Sequence, residues 1–305
     1  MTTKETDTGS SFTLSGKLRD YMKLIKFSLS FMVVFSAVVS FLLVPGNHYN
    51  LKMIVLLFVA GLLVTGSANA INQVVEKDTD ALMKRTAKRP VASGRMSVAE
   101  GWAFAVITGV VGVLMLGYFF NLTSALLALF SLFLYAFIYT PLKKVNSISV
   151  LVGAFPGALP CLIGWCAGFY GDTIVWSGGW ALFAIQFFWQ FPHFWAIAWI
   201  AHKDYSGAGF KLLPSVEGPT KYSAIQAIIY SLLLLPVGIL PYFVGMSGLM
   251  SLGVLVVANL YMIWLSIQLY RKMEVKAARK VMFTSYIYLA VILLALLADK
   301  TPAAH

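Results

Sequence analysis

Glu76, Asp78 and Asp80 place three of the chain's twelve acidic residues within five positions. Asn72 precedes them, and Lys84, Arg85, Lys88 and Arg89 follow directly. If one helix carries the segment, Asn72, Glu76 and Asp80 share a face at i, i+4 and i+8, with successive steps roughly 6 Å apart. An amide oxygen and two carboxylates are hard oxygen ligands. They suit Mg2+, which takes one or two carboxylates and completes its shell with water and substrate phosphates. Asp78 lies off that face and reads equally as a second-metal ligand or as a partner for Lys77 or Lys84. The Arg and Lys beyond the carboxylates would neutralise a departing diphosphate. The plainer reading, a charged loop, suits Lys84 and Lys88 best. Asn72 interrupts an apolar run, where polar residues near a membrane are more often functional.

A second polar focus reads Trp189-Gln190-Phe191-Pro192-His193-Phe194-Trp195, followed by His202, Lys203, Asp204 and Tyr205. Asp204 would complete the Mg2+ site. His193 is a candidate ligand for metal or haem iron, or a proton carrier, and His202 is the alternative haem ligand. The plainer reading of a lone His is a satisfied hydrogen-bonder, but Gln190 and Pro192 beside it argue for function. Trp189, Phe194 and Trp195 offer π faces that would stabilise an allylic cation without trapping it. A third segment, Tyr139-Thr140-Pro141-Leu142-Lys143-Lys144, brings two lysines within reach of a phosphate, although snorkelling anchors need no such role.

The elements that carry these residues follow from composition. Of 305 residues, 59% are hydrophobic and 11% charged, and the mean hydropathy is +0.81. A soluble chain of this length would not bury so much apolar surface. These values exclude a soluble enzyme, a disordered chain and a disulfide scaffold; Cys161 and Cys166 read as buried small residues. The expectation is an all-α polytopic membrane protein with about nine transmembrane helices, near 28–45, 53–75, 101–120, 124–140, 148–169, 178–201, 223–245, 247–270 and 281–298. Gly153, Pro156, Gly157, Pro160 and Gly164 predict a kink or a close helix contact in the fifth. Residues 1–27 read as a tail and an interfacial amphipathic helix, 28–298 as the membrane domain and 299–305 as a short external tail.

Of the 23 Lys and Arg, 21 fall on the N-terminal side of these spans; only Lys52 and Lys300 fall on the other. That asymmetry predicts a cytoplasmic N-terminus, with His305 outside. The net charge of +11 is therefore loop charge that orients helices, and nucleic acid is not an expected partner. Both polar foci lie at the cytoplasmic ends of helices four spans apart, which suggests two related four-helix units. A transporter would place ionisable groups nearer the midplane, so an enzyme acting on a charged head group is favoured.

The run Asn72-x3-Glu76-x-Asp78-x-Asp80-x2-Met83-x-Arg85-Thr86-x2-Arg89-Pro90 resembles the first signature of the UbiA-type membrane prenyltransferases. Met-x-Arg-Thr-x2-Arg-Pro is similar to the protohaem IX farnesyltransferase branch. So are Tyr139-Thr140-x-Leu142-Lys143, the Gly153 to Trp165 segment, and Trp189-Gln190-x-Pro192-His193-Phe194 with Lys203-Asp204-Tyr205. Glu76 stands where that family usually has Asp, and Phe27 follows Lys26 where it usually has Pro. Ile200 replaces the first carboxylate of the superfamily's second Asp-x3-Asp motif, leaving Asp204. The likeness spans roughly 20–298 and disfavours the quinone-type relatives.

The resemblance implies transfer of a farnesyl group from farnesyl diphosphate to a vinyl group of protohaem IX, with water added and diphosphate released. It further implies Mg2+ on Asn72, Glu76, Asp78, Asp80 and Asp204, and diphosphate contacts from Lys26, Arg85, Arg89, Lys143 and Lys203. With the orientation given by the charge count, the site is expected on the cytoplasmic side of the cell membrane; whether a haem A synthase or an oxidase works beside it is left open.

Overall fold

The computed structural model describes residues 14–46, 50–169, 173–215 and 217–302. The expected tail before residue 13 and the outward position of His305 lie outside the described residues. Helices α1 (Leu14–Leu24), α2 (Phe27–Leu43), α3 (Leu51–Val75) and α4 (Lys77–Leu82) open the chain. Then come α5 (Val98–Phe119), α6 (Leu122–Phe133), a π-helical stretch (Leu134–Tyr139) and α7 (Thr140–Leu142). The remainder is α8 (Ser149–Ala167), α9 (Trp176–Ile200), α10 (His202–Gly207), α11 (Lys221–Gly238), α12 (Leu240–Phe243), α13 (Leu249–Lys272) and α14 (Val275–Ala298). There is no β-strand among the described residues; Ser247 and Lys300 form an isolated bridge.

Each expected span coincides with a long helix or a broken helix pair. By length and apolarity alone, seven of the described helices can cross a membrane, and an eighth is counted if α1 and α2 form one span bent by 53°. The difference from nine has two physical sources. Helix α2 alone is 17 residues, short for a 30 Å hydrocarbon core. Helix α9 is 25 residues, but Gln186, Gln190, Pro192 and His193 lower its hydropathy.

Local chemistry sets the helix ends. Asn50, Ser97 and Asn121 cap α3, α5 and α6, their side-chain oxygens accepting from the backbone N–H of Lys52, Glu100 and Ser124. Pro141 has no N–H to give the preceding turn, and its ring crowds the Phe137 carbonyl. The helix widens there into the π stretch, and the Thr140 hydroxyl donates to Tyr135 O at 2.8 Å. The widening turns Tyr135 and Tyr139 toward the interior.

Helix α8 is central, packing on α2, α6 and α9. Its glycines permit that position. A Cβ on Gly164 would lie 1.9 Å from the Ala37 carbonyl oxygen of α2. The chain therefore brings α2 and α8 into backbone contact where the expected kink segment has no side chain. Gly164→Ala should cost about 1–3 kcal/mol through overpacking, read as a lower Tm of the detergent-purified protein. Gly253→Ala, on a helix face open to at least 4 Å, should leave Tm unchanged or raise it.

Candidate active site

The polar residues meet at one end of the bundle, over a cavity of about 740 Å³. Helix α3 ends at Val75, and Glu76 takes a non-helical conformation (φ −94°, ψ 14°) before α4 begins. One continuous helix is thus corrected to two, yet the i→i−4 ladder persists. Glu76 N donates to Asn72 O at 3.0 Å and Asp80 N donates to Glu76 O at 2.7 Å. Asn72, Glu76 and Asp80 consequently remain on one side, all three buried and all lining the cavity.

Each has its own basic partner from a different part of the chain. Arg89 Nη1 donates to both Asp80 carboxylate oxygens, at 2.8 and 2.7 Å. Lys143 forms an ion pair with Glu76. Lys26 Nζ donates to Asn72 Oδ1 at 3.0 Å. That bond settles the amide, because Lys is a donor only; Asn72 Nδ2 is left buried with no hydrogen-bond acceptor among the described residues. Lys26 reaches the site from the bend between α1 and α2 in a left-handed conformation (φ 48°) that a side chain rarely adopts.

The enclosure shifts the charges. Burial lowers the Lys26 ammonium to about 7, and Arg89 and Lys143 add to the effect, while Glu76 and Asp80 oppose it. Burial likewise lowers Lys143, with Glu76 opposing. Asp80 is raised by burial, against the pull of Arg89.

The wall around these charges is aromatic and apolar. Lys143 Nζ lies 4.9 Å from the centre of the Tyr139 ring and 5.3 Å from that of Phe210, close enough for cation–π attraction. Arg85 lines the mouth, donating to the Tyr205 hydroxyl at 2.6 Å. Leu57, Leu116 and Ala128 line the deep part. Leu57 is 15 residues before Asn72 on α3, a depth of roughly 22 Å at the helical rise.

Several expected residues lie elsewhere. Asp78 is exposed and Lys203 is exposed, and neither lines the cavity. Asp204 is half-buried on α10, while its neighbour Tyr205 takes the place on the cavity wall; adjacent helical residues point about 100° apart. His202 packs against Gly218, away from the lining. Among the described residues, no three His, Cys, Asp or Glu side chains gather as a metal cluster.

His193 does line the cavity, buried and stacked on Trp189 with ring centres 4.8 Å apart. Lys143, whose plainest reading was a snorkelling anchor, is buried at the centre of the charges. Tyr135, Tyr139, Gln186 and Tyr286 also line the cavity. Gln186 was detectable as a polar residue seven positions before His193 in an apolar helix; Tyr286 carries no such signal.

Known proteins resemble this chain in sequence and in fold. A protein of Cytophaga hutchinsonii named protoheme IX farnesyltransferase is 42% identical over 289 residues, covering 94% of this chain and 99% of that protein. One of the same name from Solibacter usitatus is 35% identical, covering 93% and 99%. Among solved structures, a digeranylgeranylglyceryl phosphate synthase matches with a TM-score of 0.77 at 19% identity, covering 93% of this chain and 98% of that one. A UbiA homolog from Archaeoglobus fulgidus bound to GPP and Mg2+ matches with a TM-score of 0.68 at 17% identity, covering 92% and 99%. At such identities these structures establish the shared fold alone. The description "UbiA prenyltransferase family" matches residues 33–292, and with buried acid–base pairs over an apolar cavity in the same bundle, this chain belongs to the UbiA prenyltransferase family.

Proposed function

We propose that this protein transfers the farnesyl group of farnesyl diphosphate to a vinyl group of protohaem IX, with addition of water, giving haem O and diphosphate. The observation that carries the reading is the set of buried pairs Lys143–Glu76, Arg89–Asp80 and Lys26–Asn72 above a deep apolar cavity. It is joined to an identity of 42% with a protein named for that reaction.

The donor set fits Mg2+. Glu76 and Asp80 would hold it, two carboxylates being what such an ion takes beside phosphates and water. Bound there, the metal would neutralise negative charge as the allylic carbon–oxygen bond breaks. The remaining work belongs to the chain's own side chains. Lys143 and Arg89 exchange their carboxylates for phosphate oxygens, so the charges balance before and after binding. Asn72 Nδ2, the buried donor without an acceptor, supplies a hydrogen bond to phosphate. Arg85 closes the mouth through Tyr205.

The apolar depth takes the isoprenoid tail and keeps stray water from the cation, and Tyr135 and Tyr139 turn π faces toward it. His193, Phe194 and Tyr286 make the wall nearest the second polar focus, where the porphyrin is read to lie. Residues 28–298 form the catalytic membrane domain, entered through the amphipathic α1. The charge asymmetry supports a cytoplasmic site in the cell membrane. A haem A synthase, which would consume haem O, is the partner implied.

Purified protein given farnesyl diphosphate and protohaem should yield haem O by mass spectrometry. Product from an aromatic acid or quinone precursor instead, with none from haem, would replace the acceptor in this reading. Asp80→Ala should abolish diphosphate release while the protein still purifies folded, and excess chelator should do the same to the unaltered protein. Glu76→Asp keeps the charge and should retain activity. For orientation, Lys88→Cys offers an exposed thiol while Cys161 and Cys166 are buried. It should react with an impermeant thiol reagent only from the cytoplasmic side; labelling from outside would invert the topology.

A further inference from the structure

Helix α9 presents two acceptor atoms to the cavity that no hydrogen bond among the described residues uses. The first is on His193. Ser285 Oγ, from α14, donates to its own helix at Met282 O, 2.6 Å away. Having spent its one proton there, the hydroxyl is an acceptor toward His193 Nδ1, at 2.7 Å. Nδ1 therefore carries the ring proton and Nε2 the lone pair. The ring is also held by Trp189, stacked on its face, and by Tyr286, edge-on at 4.8 Å. Trp189 is itself fixed, its Nε1 donating to Ser285 O at 2.9 Å. Nε2 has no hydrogen-bond partner among the described residues.

The second atom is Gln190 Oε1. The amide is oriented by its nitrogen, which donates to Ala154 O at 2.9 Å and to Gln186 O at 3.1 Å. The oxygen is thereby turned to Gly157, where a Cβ would lie 1.9 Å from it, and has no donor among the described residues. Gln190, His193 and Gly157 all line the cavity. Three residues apart on one helix, Gln190 and His193 are neighbours on its surface. Two fixed acceptors with no donor between them suit a molecule with two O–H bonds.

We propose that Gln190 Oε1 and His193 Nε2 hold the water that adds during farnesyl transfer, that His193 takes its proton, and that Ser285 is the positioning residue for His193. The inference rests on the function proposed above. There, diphosphate leaves with the bonding pair, and the vinyl π pair forms the bond to the farnesyl carbon. This leaves a cation on the vinyl carbon next to the porphyrin. The water oxygen bonds to that carbon while one of its protons passes to Nε2. The imidazolium then returns the proton to solvent or to diphosphate. One water is consumed and one proton released per turnover.

Without a held water the same cation loses a proton from the adjacent carbon instead, giving a farnesylated haem lighter by one water. The test is the ratio of hydroxylated to dehydrated product by mass spectrometry, beside diphosphate release, for the purified full-length protein. Loss of a positioned base removes about a hundredfold from its step. His193→Ala should therefore lower the ratio about a hundredfold while diphosphate release continues. Ser285→Ala and Gln190→Met should shift it the same way, and Ser285→Thr, which keeps the hydroxyl, should restore it. If the variants lose diphosphate release and both products in parallel, the residues serve architecture only and the assignment falls. If His193→Ala removes a haem absorbance change on binding but leaves the ratio intact, Nε2 binds iron and the assignment also falls. If the unaltered protein makes no haem product, the proposed function fails and takes this inference with it. If it makes haem O and the variants match it in both readouts, the assignment of the water alone fails.

Discussion

A charge enclosed by a low-dielectric bundle must meet an opposite charge or a hydrogen-bonding partner, because isolated burial costs several kcal/mol per ion even after relaxation. Glu76 and Asp80 are both buried at the end of the cavity, and the partners that make this tolerable come from distant segments. Arg89 arrives from the turn after α4, Lys143 from the residue following α7, and Lys26 from the bend between α1 and α2. The pairs knit one end of the fold together, and in the function proposed above they are also the groups that would meet the diphosphate. The left-handed backbone at Lys26 is the local strain that places its ammonium there.

The same pairing reconciles an anionic ligand with an acidic motif. A diphosphate approaching unpaired carboxylates would be repelled, and one approaching unpaired cations would find them costly to bury. With each acid matched to a base, binding of the diphosphate proposed above would be an exchange of partners. The Cytophaga relative matches nearly the full length of this chain, so its similarity takes in every segment that supplies a member of these pairs. The similar solved structures share the fold at under 20% identity.

Much of the architecture was legible in the chain. Apolar runs located the long helices, and the spacing of Asn72, Glu76 and Asp80 placed them together although the helix between them is broken at Glu76. What failed was any inference that needed the direction of one side chain across a short element. Asp204 and Tyr205 are sequence neighbours, but only Tyr205 turns to the cavity, since α10 is a separate six-residue helix whose phase is set by packing. Lys143 was ambiguous for the opposite reason. A lysine after a membrane span is ordinarily an anchor, and only the π-widened turn before it brings the ammonium to Glu76. Ser285 is one small polar residue in an apolar helix, and nothing local distinguishes it from the buried serines that merely bond their own helix.

The position of α14 bears on how the protein is made. Ribosomal synthesis delivers helices to the membrane in chain order, and domains fold in that direction. The carboxylates, their cations and His193 all precede residue 201, but Ser285, Tyr286 and Leu289 reach the cavity wall from α14, the last of the described helices. A nascent chain thus contains every charged pair of the site well before the cavity has its last wall. Until α14 inserts, His193 lacks the hydroxyl that settles its tautomer, and Trp189 lacks the carbonyl that holds its indole. In that order the charged pairs are complete first, and the helix that carries Ser285 and Tyr286 is added to them afterwards.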